Sequence, residues 1–302
     1  MSHPSTELDP TIDGVELPAV SVVAPVHDEV ENLEPLVRQI HQALDGAAGE
    51  GLANHEIVLV DDASSDGSRQ LLSELTRSDP RLRARYLPRR SGQSAALLCA
   101  IREARGGVVV TIDSDLQNDP ADIPRLLERM ADGYDLVSGV RARRRDSWLR
   151  RVASGFANRV RRAVLRDPFH DSGCALKAYR AELLRDLPAF DGAHRFLPVL
   201  ALHRLGDSRR VCEVTVNHRP RRAGDSSYSA IRGRALRGVH DLVGVRWLLR
   251  RRLDLQPQES VPSRPCPGAD RARPGEEATP RQPASEAPAA GAFTSPARSS
   301  GR

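Results

Sequence analysis

The sequence predicts an α/β fold built on a doubly wound, mostly parallel sheet, and three observations carry that prediction. Strand-sized runs rich in apolar and β-branched residues recur at 19–26 (AVSVVAPV), 55–62 (HEIVLVDD), 82–88 (LRARYLP) and 107–113 (GVVVTID). Most of these runs are too continuously apolar for a half-exposed sheet. Amphipathic segments with three- and four-residue apolar spacing separate them, the alternation expected of parallel strands with helical crossovers. Acidic residues gather where the runs end, and open α/β sheets bind ligands beyond the carboxyl ends of their strands.

In chain order, the strand at 19–26 leads into a helix over 31–44 that starts near Glu29–Glu31, and the strand at 55–62 leads through SSDGS to a helix over 67–78. The strand at 82–88 precedes a small-residue helix over 92–105, and the strand at 107–113 precedes a helix over 122–132. Gly67 fits a structural role at a helix start. Residues 1–18 are polar and read as a flexible N-terminus, and 19–230 as the main folded α/β domain. From 254 to 302 the composition shifts, with nine of the 22 prolines among Ala, Ser, Gly and Arg. That stretch has too little apolar surface to offset its chain entropy, and it reads as a disordered tail.

Three acidic clusters end the first, second and fourth strands: His27-Asp28-Glu29, Asp61-Asp62, and Asp113 with Asp115. One strand-end Asp is ordinarily a helix cap. Three clusters on one rim repel each other unless cations or ligand donors offset them. A turn beginning at Ser114 would let Asp113 and Asp115 reach one hard cation, Mg²⁺ or Mn²⁺, with Gln117 adding a carbonyl oxygen. Asn118, Asp119 and Pro120 read as turn and helix start.

The chain carries 45 basic against 40 acidic residues, unevenly spread: from Ser138 to Arg166 there are ten arginines and one acid, Asp146. Such a zone suits an anionic partner or a solvated helix face. Nucleic acid is a poor fit, because aromatics are 4% of the chain and no nucleic-acid motif is present. Cys99, Cys174, Cys212 and Cys266 lie far apart, without zinc or disulfide spacing, which favours a reducing compartment. No basic n-region with an apolar core opens the sequence, and no run reaches the length needed to span a bilayer. Over 231–253, Ile231, Leu236, Val239, Leu242, Val243, Trp247 and Leu249 recur at three- and four-residue steps among Arg232, Arg234, Arg237, Arg246 and Arg250–Arg252. This is a basic amphipathic helix suited either to an anionic membrane surface or to packing on its own domain. A peripheral location on the cytoplasmic membrane face is expected.

Taken in order, SVVAPVHDEVENLEPL, EIVLVDDASSDGS, RRSGQSAALLCAI, TIDSDLQNDP, LVSGVRARRRDSWLRRVASGFANR, HDSGCALKAYR, HRFLPVL and NHRPRRAGDSSYS resemble family 2 glycosyltransferases of the GT-A fold. They are most similar to its polyprenyl-phosphate sugar synthase branch, over residues 19–250. The resemblance implies an inverting, metal-dependent hexosyl transfer from a nucleotide-sugar of the GDP-mannose or UDP-glucose type to a polyprenyl phosphate. A non-lipid acceptor is the alternative.

It also implies roles for individual residues. Asp113, Asp115 and Gln117 would hold the metal, with Asp115 catalytic. Pro25, Glu29, Asp61, Asp62, Gly92, Asp113, Ser114 and Arg221 would contact the nucleotide-sugar. Arg141, Arg150 and Ser154 would bind the acceptor phosphate, Arg141 and Arg150 taking part in catalysis. Asp171-Ser172-Gly173 resembles a sugar-side loop. His27 stands where relatives commonly have Tyr, and Ser227 where many have Lys. Arg143, Arg159, Arg161 and Arg162 are expected on a solvated or membrane-facing surface.

Overall fold

Each of the four predicted strands forms, and among the further strands an antiparallel one changes what lies at the rim. The computed structural model describes residues 11–12, 15–16, 19–47, 54–141, 159–220 and 231–251, with backbone alone at 11–12, 15–16, 231–237 and 239. The strands are β1 (Thr11–Ile12), β2 (Val15–Glu16), β3 (Val20–Val26), β4 (His55–Asp61), β5 (Leu82–Tyr86), β6 (Val108–Thr111), β7 (Leu136–Arg141), β8 (Lys177–Arg180) and β9 (Val211–Val216). The helices are α1 (Val30–Asp45), α2 (Ser68–Ser78), α3 (Gln93–Glu103), α4 (Ile123–Ala131), α5 (Ala181–Leu184), α6 (Leu197–Leu205) and α7 (Ile231–Arg251). β1 and β2 form a short antiparallel ribbon within the segment expected to be loose. Asp13-Gly14 separates them in sequence, a dipeptide favoured in tight hairpins.

The main sheet has seven strands in the order β5-β4-β3-β6-β8-β7-β9. β3, β4, β5 and β6 are mutually parallel, and β7 runs parallel to β9. β8 lies antiparallel between β6 and β7. Both faces are covered, which explains why β3 and β4 are buried along their whole length. Val20, Val22 and Ala24 face the α1 and α4 side, with Leu36, Ile40, Leu44 and Leu126. Val23, Val58 and Val60 face α3 and α6, with Leu97, Ile101, Val199 and Leu200. Truncating a fully buried leucine of α1 to alanine would cost about 2–5 kcal/mol in lost transfer energy and cavity.

Two local features set the loops. β6 ends at Thr111, two residues before the predicted limit, because the chain turns there, with Leu116 at φ 59°. Gly67 caps α2 at φ 98°, the structural role expected of it. Gly92 precedes α3 at φ 92°, ψ 159°, a region open in practice to glycine alone. No neighbour would clash with an added Cβ there. Gly92→Ala is therefore expected to cost about 1–3 kcal/mol from backbone strain alone. Thermal unfolding checks this; an unchanged midpoint would remove the strain argument.

Candidate active site

The antiparallel direction of β8 gathers the site. β3, β4, β6, β7 and β9 end at one rim, and β8 begins there, with Lys177 paired to Thr111 on one side and Ser138 on the other. The rim thus holds His27–Glu29 after β3, Asp61–Asp62 at the end of β4, Asp113–Gln117 after β6, Arg141 at the end of β7, and the Asp171–Cys174 turn before β8.

Backbone amides offset much of the acidic charge. Asp28 Oδ1 accepts from Ser65 N–H (2.7 Å), and Asp66 Oδ2 accepts from Val30 N–H (2.9 Å). Glu29 N–H donates to Ser68 Oγ (3.0 Å), so the loops after β3 and β4 are laced together. Fully buried Asp61 accepts from Ser64 N–H at 3.2 and 3.4 Å. Glu29 sits at the N-cap position of α1 without a side-chain cap, its carboxylate accepting from Asn32 Nδ2. His27, whose role the sequence leaves open, bonds through Nδ1 to Asp62 O at 3.0 Å and lies 3.4 Å from the Asp28 carboxylate. Ser114 Oγ donates to Pro25 O (2.9 Å), tying the ends of β3 and β6.

Asp62 spends both oxygens on the loop before α3: Oδ1 accepts from Ser91 N–H (2.6 Å) and Oδ2 from Gly92 N–H (2.8 Å). Its immediate work is to hold the Gly92 backbone in place. Asp62→Ala would strand two amides, at a cost of about 2 kcal/mol. A lowered thermal midpoint and weaker nucleotide-sugar binding are the expected readouts; unaltered binding would show that the Gly92 loop does not contribute.

Asp113 behaves differently. Its carboxyl is pushed up to about 6, first by burial and then by the charge of Asp115, against the opposing pull of Lys177, Gln93 and Arg141. Gln93 Nε2 donates to Asp113 Oδ1 (3.0 Å), and Gln117 N–H donates to Asp115 Oδ1 (3.1 Å), closing the turn expected at Ser114. A carboxylate whose ionisation is disfavoured by a carboxylate neighbour fits a divalent cation, which removes that repulsion. Among the described residues no group of three His, Cys, Asp or Glu side chains forms a ready metal cage. The pair thus suits an ion that takes its remaining ligands from substrate phosphate and water. Asp119 caps the following turn through Ala121 N–H (3.1 Å) and pairs with Arg219, the structural part expected of it.

Arg141 is clamped by Asp171: Nε donates to Oδ2 (2.7 Å) and Nη2 to Oδ1 (2.8 Å). This fork orients the guanidinium and joins the end of β7 to the turn before β8. Sequence reasoning missed Lys177. Its ammonium is buried, donates to Ser172 O (3.3 Å) and Cys174 O, and has its pKa lowered by burial. The strand's start inside HDSGCALKAYR held the signal, but only a strand pairing places this lysine beside Asp113.

Arg150, Ser154, Arg221, Arg143 and Ser227 lie outside the described residues. Arg159 is exposed, as expected, whereas Arg161 is a correction. It is buried, with Nη1 3.2 Å from Asp167 Oδ1 and Nη2 donating to Phe169 O (2.6 Å). A nearby acid and a carbonyl make that burial tolerable. The last helix packs one side on its own domain and leaves large apolar side chains of another exposed. Val245 is buried, and Leu242, Leu248 and Leu249 pack against the α3–α6 side of the core. Val243 and Trp247 stay 61% and 58% exposed, with Arg251 stacked over the Trp247 ring. No helix among the described residues is long and apolar enough to cross a membrane.

Comparison with known proteins agrees with this geometry. The family model described as "Glycosyl transferase family 2" matches residues 21–187, which hold β3 from its second residue, all of β4 to β8, and the acidic rim. The undecaprenyl-phosphate 4-deoxy-4-formamido-L-arabinose transferase of Pseudomonas aeruginosa is 42% identical over 214 residues, covering 70% of this chain and 61% of the relative. The enzyme of the same name from Edwardsiella ictaluri is 37% identical over 225 residues, covering 74% of this chain and 66% of the relative. The chain thus spans somewhat over half the length of the curated relatives it matches. Among solved structures, glucosyl-3-phosphoglycerate synthase from Mycobacterium tuberculosis, in complex with Mn²⁺, UDP-glucose and phosphoglyceric acid, superposes with a TM-score of 0.57 at 21% identity. That match covers 75% of this chain and 80% of the synthase, and it shows the GT-A fold. Fold, acidic rim and family match converge: the chain belongs to glycosyltransferase family 2.

Proposed function

We propose that the chain transfers a sugar from a nucleoside-diphosphate sugar to a polyprenyl phosphate, with inversion at the anomeric carbon. The observation that carries this reading is the meeting, on one rim, of the Asp113–Asp115 pair and the Asp171-clamped guanidinium of Arg141. The names of the curated relatives support a lipid-phosphate acceptor. The donor sugar is a hexose, as in GDP-mannose or UDP-glucose, or a pentose of the kind in those names.

Glu29, Asp61 and the Gly92 loop form the nucleoside side, floored by Pro25 and Ser114 and braced by Asp62. Asp113, Asp115 and Gln117 would hold Mg²⁺ or Mn²⁺, which supplies charge neutralisation on the departing diphosphate. An acceptor phosphate oxygen attacks the anomeric carbon as the bond to the diphosphate breaks. That oxygen is already anionic at neutral pH, so the chain need not provide a strong base. What its residues provide is placement of two anions that repel each other. Arg141 would do this for the acceptor, joined by Arg150 and Ser154, and Arg221 would serve the diphosphate. Residues 19–230 would make up the catalytic domain, and α7 would bring it to the membrane through exposed Val243 and Trp247.

The test is transfer of radiolabel from a panel of UDP- and GDP-sugars, with Mn²⁺ or Mg²⁺, to undecaprenyl phosphate. Label should enter the organic phase only when acceptor and metal are both present. Transfer to water-soluble products alone would overturn the lipid acceptor.

A further inference from the structure

His194 is placed at the site by contacts that no motif reading assigns. It lies in the short turn Ala193–Arg195, a hundred residues from the helix it touches. Its Nδ1 is 2.6 Å from Ser94 Oγ, in the first turn of α3. Ser94 is buried, and its oxygen also accepts from Gly192 N–H at 2.9 Å. A serine hydroxyl has one hydrogen to give. Were the imidazole to donate from Nδ1, that buried hydroxyl hydrogen would have no acceptor among the described residues, a costly arrangement. The hydroxyl therefore donates to Nδ1, and a neutral ring must carry its proton on Nε2. Burial, then the charge of Arg195, hold the ring pKa down to about 4, against Asp191, so the ring is neutral at ordinary pH.

The other side of this ring is the part with work to do. His194 is only part-buried, and no partner for Nε2 occurs among the described residues. The residue before Ser94 is Gln93, whose amide bonds Asp113, and the charge of Lys177 is felt at the ring. Through Ser94, His194 is thus tied to the start of α3, where Gln93 reaches Asp113. A fixed neutral N–H donor at such a place suits an oxygen acceptor, and a sugar hydroxyl supplies one.

We infer that His194 Nε2–H donates a hydrogen bond to a hydroxyl of the sugar being transferred, and that Ser94 is the positioning residue that fixes its tautomer. This rests on the sugar-transferase reading above. The sugar contact separates from the nucleotide contact by comparing a nucleotide-sugar with its free nucleoside diphosphate, both titrated calorimetrically with Mn²⁺ present. The probes are UDP, GDP and their glucose, mannose and 4-deoxy-4-formamido-L-arabinose conjugates.

His194→Phe keeps the ring and loses the N–H. It should weaken the preferred nucleotide-sugar about three- to tenfold, the range for one neutral hydrogen bond, while leaving the free diphosphate unchanged. His194→Gln, whose amide N–H can reach the Nε2 position, should recover most of that loss. Nitrogen NMR of the wild-type ring should show Nδ1 bare and Nε2 protonated, and Ser94→Ala should relax this preference. Equal weakening of sugar-nucleotide and free diphosphate, or no weakening at all, would overturn the inference, as would the opposite tautomer. A wild-type chain that binds none of the nucleotides would instead remove the transferase reading itself.

Discussion

Asp115→Asn is expected to lower metal-dependent turnover about 10²–10³-fold with the fold intact, the scale for losing electrostatic stabilisation of a leaving group. Asparagine keeps the oxygen that accepts from Gln117 N–H, so the turn persists while the charge is lost. Asp113→Asn should impair turnover similarly and carries a second, sharper signature. In the folded chain the Asp113 carboxyl titrates at about 6 against an ordinary 3.8, so the folded state holds that proton more tightly than the unfolded chain does. Stability must then fall as pH rises from 3.8 to 6, and the ionised group is a burden above that. Without metal, Asp113→Asn should raise the thermal midpoint at pH 7.5 and lose that advantage near pH 4. Added Mn²⁺ should stabilise the wild type by mass action and neither variant. An undiminished Mn²⁺ shift in both variants would sink the metal assignment.

Replacing Arg141 has two consequences that must be separated. Arg141→Ala leaves Asp171, which is 5% exposed, without its two guanidinium bonds. Removing one partner of a buried pair costs about 3–5 kcal/mol, so lost activity in this variant could reflect lost structure. The double variant Arg141→Ala/Asp171→Ala removes the carboxylate that has lost its guanidinium and should recover most of the thermal midpoint. Its use of polyprenyl phosphate should still fall about a hundredfold in kcat/KM, with nucleotide-sugar affinity little changed. Arg141→Lys should sit between, since an ammonium keeps the charge but not the planar fork. Full acceptor use by the double variant would show that Arg141 braces the β7 end and has no part in acceptor binding.

Local pattern made several features legible in advance. Val20–Val26 and His55–Asp61 are strands because apolar, β-branched runs of that length fit a doubly covered sheet. Gly67 and Asp119 announced their structural roles, since a left-handed cap and an Asp before a Pro-led turn depend on adjacent residues. The acidic strand ends were equally plain, and so was the family, because its motifs recur in order along residues 19–250.

Which of those acids carries an unfavourable charge was not legible. Asp62 is satisfied by amides of residues 91 and 92, and Asp28 by an amide of residue 65, pairings set by how loops from different strands meet. Arg161 looked like one more surface arginine in a basic zone until Asp167 and Phe169 folded over it.

By itself the sequence determined β3 to β6, the helices that follow them and the acids at their ends, because each follows from side chains within a few positions of one another. The tertiary structure alone decided that β8 runs backwards between β6 and β7, and so brings Lys177 and Asp171 to the same rim as Asp113 and Arg141. It also decided that His194 meets Ser94 across a hundred residues. Strand direction and such distant contacts are chosen by the packing of whole elements against a shared core, which no local spacing encodes.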